Sequence, residues 1–198
     1  DNQLDFIAQF KDQKTCIVAG STWPEDDALL LEYINTASED VKFIIAPHEI
    51  KNEKIQRLKA QIVKKTVLFS EKKDSKINQY QVLIIDTIGL LTKVYSYADI
   101  AYVGGAAGKS GLHNILEPAT FGLPIIIGKN FDKFPEAKQL EKLAGLFSVA
   151  SAEELFKIMT KMVKDEQFRS KTGMISGHFI NSNTGATQSV LSYLKRNH

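Results

Sequence analysis

The sequence predicts an α/β fold: a Rossmann-like parallel sheet with helices on both faces, one half of a two-domain architecture, in a single domain over residues 1–198. Three observations predict it. Short β-branched runs alternate with longer segments of helical period, the pattern of strand and crossover helix. The 198 residues, 43% of them apolar, are enough to bury one continuous core. No internal repeat, low-complexity tract or long linker interrupts the alternation.

In chain order, the run TCIVA (15–19) reads as the first strand and PEDDALLLEYINTA (24–37) as its helix. KFIIA (42–46) and NEKIQRLKAQI (52–62) repeat the unit. TVLF (66–69) and QVLIID (81–86) read as strands, GLLTKVYSYA (89–98) as a helical segment and DIAYVGG (99–105) as the next strand. HNILEPATFG (113–122), LPIIIG (123–128), FPEAKQLEKLA (134–144) and LFSVA (146–150) continue the pattern. In AEELFKIMTKMVKD (152–165), Leu155, Ile158, Met159, Met162 and Val163 form one apolar stripe, which belongs to the core. A last helix is expected over 184–195, after a turn-rich NSNTG that supplies its cap. Six or seven parallel strands result.

The balance of charges excludes some functions. With 25 Lys plus Arg against 23 Asp plus Glu, the net charge of +2 gives no broad footprint for nucleic acid. The single Cys16 rules out an internal disulfide and any multi-cysteine metal site, and its apolar run makes it a buried thiol. No stretch approaches the ~18–20 apolar residues of a membrane span, and the polar start lacks the layout of a secretory signal, so the chain is expected to be soluble. It starts at Asp1 rather than methionine, which suits an excised domain or a processed protein.

In open α/β sheets ligands sit beyond the carboxyl ends of strands. Four such places carry candidate chemistry. The first strand empties into Gly20, Ser21, Thr22 and Trp23, where glycine permits a tight turn and free N–H groups suit an anion; a plain helix cap ahead of Pro24 is the other reading. His48 ends the second strand, either meeting a phosphate or sugar oxygen or lying in a surface loop. The third place, Gly104, Gly105, Ala106, Ala107, Gly108, Lys109, Ser110, Gly111, Leu112, His113 and Asn114, precedes a helix, and its small residues make it the best candidate for a phosphate cradle. Glu117, on that helix's first turn, is placed to accept two hydrogen bonds from a ribose diol, or merely complements the helix dipole. The fourth, residues 128–136 with Lys129 and Lys133, is either an anion-meeting loop or a solvated turn.

The GKS at 108–110 imitates a nucleotide-triphosphatase loop. That motif needs four residues between its first glycine and GK; counting back from Gly108 lands on Val103, and Gly104 leaves only three. No G-x-G-x-x-G follows the first strand, so a Rossmann dehydrogenase is disfavoured as well.

Taken together, AGSTWPEDDALLLEYI, DTIGLLTKVYSYADIAYVGG, the glycine loop, HNILEPATFGLPIIIG, FPEA and the NTGAT near the end resemble the C-terminal, donor-binding domain of bacterial lipid A 3-deoxy-D-manno-octulosonic acid (Kdo) transferases. The resemblance covers nearly the whole chain. It implies half of a GT-B glycosyltransferase, a CMP-Kdo donor, no metal or other cofactor, and transfer of Kdo to a lipid A precursor in lipopolysaccharide assembly at the cytoplasmic face of the inner membrane. It further implies that Gly20, Ser21 and Thr22 line the cleft, Asp86 and Thr87 lie near the nucleotide, Gly104 and Gly105 admit the phosphate, and His113, Asn114 and Glu117 follow at phosphate and ribose. The acceptor surface, the membrane association and the acidic base belong to an N-terminal domain outside this sequence, so the chain alone is expected to bind donor weakly and to transfer nothing, with no catalytic residue of its own. The family's P-R-H-x-x-R pattern is replaced here by Ala46, Pro47, His48, Glu49 and Ile50, and its Asn before the later Phe by Lys133, so a donor charge would be met by Lys109 or Lys129. A UDP-sugar 2-epimerase-like domain and a non-catalytic nucleotide-binding module are the alternatives.

Overall fold

The computed structural model describes residues 4–72 and 74–183. Seven parallel strands form one sheet in the order β3-β4-β2-β1-β5-β6-β7. They are β1 (Thr15–Thr22), β2 (Val41–Pro47), β3 (Thr66–Leu68), β4 (Val82–Ile84), β5 (Ile100–Val103), β6 (Ile125–Gly128) and β7 (Leu146–Val149). The helices are α1 (Asp5–Lys11), α2 (Pro24–Thr36), α3 (Asn52–Gln61), α4 (Leu91–Tyr95), α5 (Leu116–Thr120), α6 (Pro135–Lys142), α7 (Ala152–Lys164) and α8 (Glu166–Asn183). Every strand and helical segment expected from the sequence up to residue 165 is found. The chain runs outward from β1 through β2 to one edge, then returns to β5 and runs to the other, so the topological switch point lies between β1 and β5. Ligands of open α/β sheets bind at that point.

Both faces of the sheet are covered because each strand carries apolar side chains on both. Along β1, Ile17 and Ala19 pack under α2, α3 and α7, while Cys16 and Val18 face α1 and α4 on the opposite side. The α7 stripe is core as expected: Leu155, Met159 and Met162 are fully buried, with Ile158 and Val163 packed at the margin. A third cluster under β5, β6 and β7 joins Ile115 and Ala119 to Leu140 and Phe179 of α6 and α8.

Two helices lie where none was expected. In α1, Ile7 and Phe10 are buried one turn apart; Lys11 pairs with Asp99 at 2.9 Å, and the same Asp99 accepts the backbone N–H of Cys16 at 2.7 Å, fixing α1 to the start of β1. Helix α8 runs through 181–183, so these residues continue a helix instead of forming the turn expected there. Its apolar stripe is weak because Gly173 sits on the carbonyl of Gly122 and Ser176 bonds the Gly145 carbonyl at 2.8 Å: close backbone approach replaces large side chains. The helix expected over 184–195 and most of the NTGAT segment lie outside the described residues. No described helix is long and apolar enough to cross a membrane.

Candidate functional site

The site is built where β1 and β5 end side by side. In β1 the pairing with β2 slips between Gly20 and Thr22, leaving Ser21 as a bulge with φ of 54°. The carbonyl of this left-handed serine fills the space a side chain at Gly104 would need, 2.3 Å from its Cβ position, and Gly104 N–H bonds Gly20 O at 2.9 Å. Glycine is therefore required at 104 by the abutment of two strand ends. At Gly105 φ is +97°, and a Cβ would lie 2.0 Å from the Gly111 carbonyl, so the loop also closes tightly on itself.

What holds this loop down is Asp26, on the first turn of α2 and fully buried. Its Oδ2 accepts the N–H of Trp23 at 2.9 Å and that of Gly105 at 2.8 Å; its Oδ1 accepts the Tyr102 hydroxyl at 2.8 Å and the Ala107 N–H at 3.3 Å. Burial and the neighbouring Asp26 carboxylate push the Tyr102 phenol up, keeping it a donor. The helix cap is thus made by Asp26 reaching back to Trp23, and neither Ser21 nor Thr22 caps α2. The sequence signal for this role of Asp26 is an acid at the third position of a helix opened by proline.

Three rings from three different segments meet above the strand ends. Trp23 stacks on His48 with ring centroids 4.6 Å apart, His48 lies 4.4 Å from His113, and Trp23 Nε1 donates to His113 Nε2 at 3.0 Å. His48 is held to β1 through its N–H on Thr22 O at 2.9 Å, and His113 through its N–H on Gly104 O at 3.1 Å. Burial, followed by the adjacent His48, lowers the pKa of His113 below its usual value of 6.5, which fits a ring whose Nε2 must stay unprotonated to accept from Trp23.

Further along the same edge, Asn114 accepts the N–H of Leu116, the first residue of α5, at 2.9 Å, and its amide donates to Glu117 at 3.2 Å. Thr92 at α4 donates to the other Glu117 oxygen at 3.2 Å. Glu117 is thereby held facing α4 across the mouth of the switch point.

The structure brings together Gly20, Ser21, Thr22, His48, Gly104, Gly105, His113, Asn114 and Glu117. Asp86 follows β4 farther along the edge and accepts from Ser70, its backbone N–H at 2.9 Å and its hydroxyl as well, with Thr87 half-buried beside it. Lys109 and Lys129 are exposed, and neither has an ion pair among the described residues. Asn130 ties the later loop to the glycine loop through the carbonyls of Ala107 and Gly108, at 3.2 and 2.8 Å.

No family model matches the chain. Over 188 residues it is 30% identical to a 3-deoxy-D-manno-octulosonic acid transferase of Aquifex aeolicus, a match spanning 89% of this chain and 52% of that protein. A transferase of the same name from Haemophilus influenzae is 36% identical over 117 residues, 58% of this chain and 27% of that one. In fold, the chain matches the crystal structure of the C-terminal CMP-Kdo binding domain of WaaA from Acinetobacter baumannii with a TM-score of 0.69 and 21% identity, covering 87% of this chain and 98% of that one. The chain shares the Rossmann-like α/β fold of that domain, with its candidate site at the β1–β5 switch point. In sequence the chain is similar to these proteins named 3-deoxy-D-manno-octulosonic acid transferases, and it spans about half or less of the length of the two.

Proposed function

We propose that this chain is the donor-binding half of a Kdo transferase, holding CMP-Kdo for transfer to a lipid A precursor in lipopolysaccharide assembly. The observation that carries the reading is the juxtaposition, at one switch point, of the Ser21 bulge, the His48–His113 pair and the Asn114–Glu117 pair, of which all but His48 lie on motifs of the likeness. Glu117 meets the ribose diol, Asn114 and His113 the phosphate, and Lys109 supplies the charge that the P-R-H-x-x-R pattern would otherwise give. The base, the acceptor surface and the hold on the cytoplasmic face of the inner membrane lie in the other half. This reading assigns the chain no metal and no catalytic residue, and the chain alone transfers nothing.

The test is a titration with CMP, UMP, ADP and NAD, followed by heat and by the fluorescence of Trp23, the chain's only tryptophan. CMP binds selectively, and Glu117→Ala weakens it about tenfold, the worth of hydrogen bonds to a charged group. Preference for UMP would transfer the chain to the UDP-sugar epimerases, and silence towards all four nucleotides would remove the donor reading. Detectable transfer to a lipid A precursor by the chain alone would contradict the division of labour.

A further inference from the structure

A second cavity, of about 220 Å³, lies beside Trp23 between the N-terminal half of α2 and the length of α3. It shares Thr22 and Trp23 with the switch-point site but none of the later loops, and Pro47, Leu31 and Leu58 line it as well. Two polar atoms in its lining have no hydrogen-bond partner. One is Oγ1 of Thr22, a residue only 2% exposed; the other is the buried Oδ1 of Asp27. The two groups lie near each other without a hydrogen bond of proper geometry between them. A hydroxyl and a carboxylate oxygen buried in one mostly apolar cavity, with only each other nearby, carry a desolvation cost that a well-placed donor would relieve.

The charges around the cavity decide what completes the pair. At the rim Lys54 is bonded to Glu49, and Arg57 faces Glu53 at 3.4 Å, so each cation there has its own carboxylate. Asp27 has none, and Glu25 and Asp26 on the same turn add to the negative field at its carboxyl. A cation is the group that this site lacks. At about 220 Å³ the cavity exceeds the ~30 Å³ of one water and falls short of the ~300 Å³ of drug-sized sites, so its occupant is small.

We propose that this cavity binds a primary amine on a compact apolar body, its ammonium donating to Thr22 Oγ1 and Asp27 Oδ1 and its hydrocarbon lying against Trp23, Leu31 and Leu58. The site is independent of the donor reading, since Thr22 and Trp23 are all it shares with the other. Occupancy touches Trp23, so a bound amine is felt by the ring that bonds His113.

Cyclohexylmethylamine, cyclohexylmethanol and cyclohexanecarboxylate serve as matched probes, titrated into the chain at pH 7.5 with Trp23 emission and heat as readouts. The amine is expected to bind saturably and ahead of both analogues. Asp27→Asn should weaken it about tenfold, one charge-assisted hydrogen bond, while leaving the alcohol unchanged. Thr22→Val, which keeps the shape and removes the hydroxyl, should weaken amine and alcohol alike. Equal binding of amine and alcohol, amine binding indifferent to Asp27→Asn, or no saturable response to the amine in either readout would overturn the proposal.

Discussion

The N–H of Gly105 points inward at the carboxylate of Asp26, 2.8 Å away, and the N–H of Ala107 follows at 3.3 Å. These two backbone donors of the glycine loop are therefore spent on the protein's own buried acid. Under the proposed function, a donor phosphate at this edge would meet the later part of the loop and the side chains of His113 and Asn114. Asp26 acts on the site by positioning: it ties the opening of α2, the end of β5 and the loop into one rigid floor.

Replacing Asp26 by Asn keeps one acceptor oxygen and turns the other into an amide NH2, a donor facing groups that themselves donate. Two of the four donors at 2.8–3.3 Å lose their partner inside a fully buried pocket. The cost should be about 2–4 kcal/mol, the range for breaking a buried charged network. Urea unfolding of Asp26→Asn beside the parent measures it, and a loss below about 1 kcal/mol would mean the carboxylate is not the clamp.

Glycine at 105 and glycine at 89 both have positive φ, +97° and +85°, but only one is crowded. Nothing lies within 4 Å of a Cβ at 89, so Gly89→Ala should cost only the left-handed penalty of about 1 kcal/mol. Gly105→Ala adds a clash with the Gly111 carbonyl and should cost at least ~3 kcal/mol, since backbone must move. Equal midpoints in thermal unfolding of the two variants would show that the loop has room to relax.

Much of this fold was legible because the strands are short, β-branched and separated by helices of regular period, so TCIVA, KFIIA and LPIIIG announced themselves. The two helices that were not read lack that periodicity for physical reasons. Helix α1 has only seven residues and is held by Lys11 and Asp99, a pair 88 residues apart, and α8 packs through glycine and serine. At the site, the glycines and Glu117 could be placed at strand ends by spacing alone. The meeting of Trp23, His48 and His113 could not, since it depends on three loops converging from β1, β2 and β5. Nor could the close approach of the Ser21 carbonyl, which requires glycine at 104.

His113 accepts from Trp23 through Nε2 and so is bound in its neutral form. Burial and the neighbouring His48 lower its pKa from 6.5, so the folded chain takes up this proton less readily than the unfolded chain. Its contribution to stability is present above 6.5 and is lost as pH falls from there toward the lowered value. The imidazole resonance of His113, followed by NMR across pH 4–8, should titrate with a midpoint below 6.5, and the Trp23 indole N–H resonance should move with it. A midpoint at or above 6.5 would mean that the ring is neither desolvated nor held by Trp23 as described.

Asp27 carries the opposite lesson. Burial raises its carboxyl from 3.8 to about 6, helped by Asp26 and Glu25 and offset in part by the nearby Thr22 hydroxyl. Between those two values the folded chain holds the proton more tightly than the unfolded one, so stability falls as pH rises through the window and stays low above about 6. Asparagine has no charge to desolvate. Asp27→Asn should match the parent near pH 4 and exceed it at pH 7 by on the order of 2 kcal/mol, somewhat less than the full shift is worth because the side chain is not wholly enclosed. Urea unfolding at the two pH values decides it: a variant no more stable at pH 7, or a gap of equal size at both, would show that the Asp27 charge is already compensated in the free protein.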